Sequence, residues 1–98
     1  KKRGLAERYQ RFTADTEYKF VKEPENGYSN YWLCSLLVNN EAQRNELLTF
    51  ANNNGVMMRP AWNLLNKLPM YHASLCGDLT NSEYIQARLV NIPSSVID

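Results

Sequence analysis

The segment Met57-Met58-Arg59-Pro60-Ala61-Trp62 holds the residues best suited to chemistry in this chain of 98 residues. Arg59 follows a short apolar run, and Pro60 stiffens the exit from it. An arginine at a strand end, with Trp62 close by and Tyr71 further along, suits a phosphate or carboxylate. The planar guanidinium donates two parallel hydrogen bonds to such a group, while an aromatic ring covers an apolar or sugar face. A plainer role fits the same residue types equally well. Arg59 then sits in a surface ion pair and Trp62 in a small satellite core. Residue type alone does not separate the two readings.

Other candidates carry less. His72 is the single histidine and lies two residues before Ser74. A nucleophile needs a base and an orienting group together, and no acid lies near in sequence. His72 is therefore read as a solvent or interface residue. Asp78 and Glu83 read as a turn residue and a capping-box residue rather than a catalytic carboxylate pair. Cys34 and Cys76 form no CxxC pair, and with one histidine there is no set of zinc ligands, so no metal is expected. The cysteines are read as reduced thiols of a cytoplasmic protein, with Cys34 in the core. No dinucleotide-binding fingerprint, phosphate-binding loop, zinc-protease motif or nucleophile elbow occurs.

Charge narrows the partners. The net charge is +1, so no overall field gathers polyanions. Residues 1–22 carry seven basic and three acidic side chains, and residues 23–98 carry four basic and seven acidic ones. The basic stretch reads as the solvated face of a helix, not as an arm for nucleic acid. No apolar run is long enough to span a bilayer, so no membrane partner is expected. The length fits one domain, 1–98, with a modest core. A start at Lys1-Lys2-Arg3 and an end straight after an apolar segment read as cut ends, hence a piece of a longer protein.

The elements that must position Arg59 follow from periodicity. Leu5, Tyr9 and Phe12 recur at helical spacing and predict a helix over 3–13. Residues 17–23 predict a short strand, and Pro24-Glu25-Asn26-Gly27 a turn in which Gly27 supplies positive φ. Residues 29–38, apolar on both faces, predict a central strand. Asn40, with Gln43 three residues on, predicts the start of a second helix that stops at Asn52–Gly55. Val56–Met58 predicts a short strand ending at Arg59. A segment with some helical spacing follows and breaks at Pro69. Thr80 and Glu83 predict a capping box opening a third helix that extends to Leu89. Residues 91–95 predict a last strand, which Pro93 confines to an edge or bulge. The expected class is α+β, a small, mainly antiparallel sheet with flanking helices.

Three stretches together resemble a known family. They are Gly4-Leu5-Ala6-Glu7-Arg8-Tyr9; Tyr31-Trp32-Leu33 through Gly55-Val56-Met57-Met58-Arg59-Pro60-Ala61-Trp62, with Leu68-Pro69-Met70-Tyr71; and Leu79–Glu83 with Arg88–Ser95. In order and spacing, residues 4–95 are similar to the C-terminal domain of the DegT/DnrJ/EryC1/StrS family of sugar aminotransferases, which depend on pyridoxal phosphate (PLP). The nearest flavour is the branch that serves lipopolysaccharide and other surface glycans.

The resemblance implies the small domain of a fold-type I aminotransferase. It also implies a parent enzyme that moves an amino group, usually from glutamate, onto a nucleotide-linked keto sugar, with PLP as the electron sink. The Schiff-base lysine and the PLP site are expected in a larger N-terminal domain, so no residue of this chain is nominated as catalytic and no cofactor is expected to bind it alone. Arg59 matches a position that faces the nucleotide sugar, with Trp62 and Tyr71 as further substrate contacts. Many relatives carry another residue, often histidine, where this chain has Trp62. A homodimeric parent is implied as well. Two alternatives stay open: a PLP-dependent sugar dehydratase on the same scaffold, and a stand-alone binding module.

Overall fold

The computed structural model describes residues 1–95; the last three residues of the expected 1–98 domain lie outside that range. Helix α1 spans Lys2–Thr13 and is followed by strand β1, Lys19–Phe20. Strand β2 is Cys34–Leu37, helix α2 is Glu41–Asn53 and strand β3 is Arg59–Pro60. Two single 3-10 turns, Leu65–Lys67 and Pro69–Tyr71, lead to helix α3, Thr80–Arg88, and strand β4, Leu89–Ile92. The sheet runs β1-β2-β4-β3 with every pair antiparallel. This is the α+β architecture expected.

Alternation along β2 and β4 gives the sheet two unlike faces. Cys34 and Leu36 pair with Ile92 and Val90, and all four are buried. Ala6 of α1 and Tyr31 complete this core, and Leu47 and Leu48 of α2 pack against it. Ala6 is small, so α1 lies close to the sheet there. Of the Leu5-Tyr9-Phe12 stripe, Tyr9 packs against this core at partial burial, and Phe12 stays exposed. The opposite sheet face carries the row Ser35–Asn91–Arg59, joined by register and by the 2.7 Å bond from Ser35 Oγ to Asn91 Oδ1.

Local chemistry explains most boundaries. Asn40 caps α2, its side chain accepting the Gln43 N–H at 2.8 Å, and Gln43 Oε1 accepts the Asn39 N–H in return. Gly55 ends α2 with φ +79°, the left-handed position glycine allows. Gly27 serves space rather than φ: a Cβ there would lie 2.6 Å from the Pro24 ring.

Five further expectations shift. The strand expected over 29–38 narrows to Cys34–Leu37, because Tyr31 takes φ +49° and interrupts the pleat. The strand expected at 56–58 moves to Arg59–Pro60. The Val56 N–H is already bonded to Ala51 O, and Met58 O accepts from Asn52 Nδ2. Asp78, rather than a Thr80–Glu83 box, opens α3: its Oδ1 accepts both the N–H and the hydroxyl of Thr80. Leu89 belongs to β4, not to α3; it turns extended directly after Arg88. The last strand ends before Pro93 and lies inside the sheet between β2 and β3, so Pro93 confines nothing.

Candidate functional site

Arg59 stands on β3, at the edge of the sheet, where a following proline costs the ladder little. Its position is fixed by the last turn of α2. Asn52 Nδ2 donates to Leu48 O at 2.7 Å and to Met58 O at 3.2 Å, which ties the helix end to the strand. Arg59 Nη1 donates to Asn52 Oδ1 at 3.2 Å and to Met58 O at 3.1 Å. Its Nε and Nη2 take no partner, and no carboxylate pairs with it, among the described residues. The surface ion pair that the sequence left open is therefore absent from that set.

Trp62 is 89% exposed, which removes the satellite-core reading for it. Arg59 and Trp62 line one groove of about 450 Å³, together with Lys2, Trp32, Met57 and Asn91. The sequence thus brought two of its three candidates to one place. Tyr71 lies elsewhere, half exposed, in an apolar groove of about 420 Å³ with Leu64, Leu75 and Leu79.

The other titratable candidates are occupied locally. His72 Nδ1 lies 2.8 Å from Pro69 O on an exposed turn. The Thr80 hydroxyl and N–H hold the Asp78 carboxyl below its usual range, and both bonds belong to the start of α3. Both cysteines are free; Cys34 is buried, and burial raises its thiol pKa. Among the described residues no cluster of three metal-ligating side chains occurs, and no helix is long and apolar enough to cross a membrane.

Trp32, Lys2 and Asn91 were not singled out by sequence. For Trp32 a signal existed. Ser29 Oγ accepts the Tyr31 N–H and Asn30 Oδ1 accepts the Trp32 N–H, each at 3.0 Å. Serine and asparagine favour such short side-chain turns, which argue against a strand beginning at residue 29.

The described residues do not fit PLP. A Schiff-base lysine needs a desolvated amine close to phosphate-binding groups. Lys1, Lys19, Lys22 and Lys67 are exposed, and the Lys2 ammonium donates to the carbonyls of Trp32 and Ser94.

Comparison with known proteins gives a consistent picture. No family model matches the chain. Over 96 residues it is 32% identical to a GDP-perosamine synthase of Vibrio cholerae, a match covering 95% of this chain and 26% of the relative. The fold matches the aminotransferase TlmJ of Streptoalloteichus hindustanus with a TM-score of 0.81, at 18% identity, over 95% of this chain and 25% of that one. Helicobacter pylori PseC, an aminotransferase involved in the biosynthesis of pseudoaminic acid, matches with a TM-score of 0.80, at 14% identity, over 94% and 26%. The chain spans about a quarter of the length of each. In sequence it is thus similar to part of a GDP-perosamine synthase and in fold to part of two aminotransferases, in keeping with its resemblance to the DegT/DnrJ/EryC1/StrS family.

Proposed function

We infer that this chain is the C-terminal domain, 1–98, of a longer cytoplasmic, PLP-dependent aminotransferase acting on a nucleotide-linked keto sugar for surface-glycan synthesis. The amino donor is glutamate and the parent works as a homodimer. In this reading the domain closes the substrate side of the cleft. Arg59 takes the diphosphate and Trp62 lies against the ligand beside it; Tyr71, expected as a third contact, lines the separate apolar groove and is assigned no role here. The carrying observation is an edge-strand arginine with Nε and Nη2 unpartnered among the described residues, in the same groove as Trp62. The likeness to a GDP-perosamine synthase supports the substrate class.

Arg59→Ala in the full-length polypeptide is the test. A charged hydrogen bond contributes about 1.5–3 kcal/mol, so nucleotide-sugar affinity should fall by roughly 10- to 150-fold. The PLP absorbance of the parent should stay unchanged. Unaltered substrate affinity would overturn the assignment of Arg59.

A further inference from the structure

Trp32 is the second aromatic wall of the Arg59 groove, and its placement is unusual. In a regular strand its side chain would share the buried face of Cys34. It is instead 69% exposed and lines the groove. The residue before it explains the turn outward. Tyr31 has φ +49°, an outlier for a bulky residue, and such strain persists only where the surroundings over-determine it.

They do so at this position. The Tyr31 ring is buried beside Phe20, with centroids 6.0 Å apart. Its hydroxyl accepts the Glu23 N–H at 3.0 Å. Arg3 grips both Glu23 oxygens, at 2.8 and 2.9 Å, and Ser29 O at 2.8 Å. Trp32 itself is held at both ends of its backbone, N–H to Asn30 Oδ1 and C=O to Lys2 Nζ. The indole is therefore presented by a fixed backbone rather than left on a loose loop.

Building on the proposed function, we propose that Trp32 is the platform for the sugar ring of the ligand whose phosphates Arg59 takes. The groove has the matching chemistry. Lys2 is turned onto two backbone carbonyls, which leaves Arg59 as the groove's phosphate-binding cation. An indole face suits the C–H face of a hexose. Asn91 engages Ser35 through its Oδ1, and its amide N–H groups, with no partner among the described residues, suit sugar hydroxyls.

The test is calorimetric titration of the full-length polypeptide with two pairs of probes, GDP against GDP-mannose and UDP against UDP-glucose. Trp32→Ala should weaken the better-bound sugar nucleotide by roughly five- to 150-fold, taking the losses known for base–aromatic stacking as the scale. Affinity for the matching free nucleoside diphosphate should change less than about twofold, and Trp32→Phe should keep most of the sugar affinity. Equal weakening of both members of a pair would move Trp32 to the nucleotide end and overturn the proposal, as would no change in either. Arg59→Ala is the separate arm and should weaken both members of the pair. If it weakens neither while Trp32→Ala remains selective for the sugar, the Arg59 reading fails and the platform stands. If the wild type binds no probe, both readings fail. An unchanged melting temperature for Trp32→Ala confirms that the loss is local.

Discussion

One pair of strands builds two very different surfaces. Leu36 and Val90 face α1 and α2, and Val90 is fully buried. One residue away on the same strands, Ser35 and Asn91 hydrogen-bond to each other on the face that carries Arg59. The first face is closed by the chain's own helices; the second ends in an open groove walled by two exposed tryptophans. Two arginines repeat the contrast. Arg3 is held by both oxygens of Glu23 and by Ser29 O, with the Tyr28 ring 4.0 Å away, whereas Arg59 is anchored through Nη1 alone among the described residues. An arginine saturated by its own fold stabilises structure. One held through Nη1 alone among the described residues keeps donors for the ligand proposed above.

Neighbouring substitutions on β2 test that contrast most strongly. Leu36→Ala should cost about 2–5 kcal/mol, since it opens a cavity beneath the sheet. Against the ~5–15 kcal/mol typical of a whole domain, that loss can unfold much of the population. Ser35→Ala should cost only about 0.5–1.5 kcal/mol, the net worth of one hydrogen bond. Urea unfolding of both variants reads the difference. Equal losses would mean that the groove face is packed as tightly as the core and is not a binding surface.

Tyr31 belongs to both regions, because its ring is buried and its hydroxyl serves the segment that carries Trp32. Tyr31→Phe should cost about 1 kcal/mol, leaving the ring in place and releasing the Glu23 N–H. If the strained backbone at Tyr31 sets the indole, Trp32 fluorescence, read in a Trp62→Phe background because the chain has two tryptophans, should become more sensitive to a soluble quencher in this variant. Unchanged quenching would show that Lys2 and Asn30 hold Trp32 without help from the hydroxyl.

The closed face was the more legible of the two in the sequence. Apolar spacing found α1, Asn40 and Gln43 marked the start of α2, and Gly55 its end. Boundaries failed where a tertiary or capping bond displaced a local preference. Val56 closes α2 instead of entering a strand, and Leu89 passes from helix to sheet without a loop. Arg59 and Trp62 could be nominated by type because they lie three residues apart. For Trp32 the only local signal was the pair of side-chain turns made by Ser29 and Asn30; the Arg3–Glu23 bond that ties down the segment ahead of it spans twenty residues and leaves no mark in the local pattern.

The gentlest prediction concerns that Arg3–Glu23 pair, whose side chains are 33% and 26% exposed, so that salt screens it. The Arg3 hydrogen bond, then the Ser29 N–H, lower the Glu23 pKa from 4.5 to about 2, and Arg3 is pushed upward in turn. A carboxylate depressed by folding stabilises the native state above its unfolded pKa. That contribution is complete above about pH 4.5 and is lost as pH falls through about 2. Glu23→Gln should therefore lower the neutral-pH melting temperature slightly and flatten the acid limb between those two values, and added salt should shrink the difference from wild type. Arg59→Met is the control on the open side. Without a carboxylate partner among the described residues, its loss should leave the acid limb as it is in the wild type. If Arg59→Met flattens that limb as much as Glu23→Gln does, Arg59 is paired in solution, and the distinction between the two arginines falls.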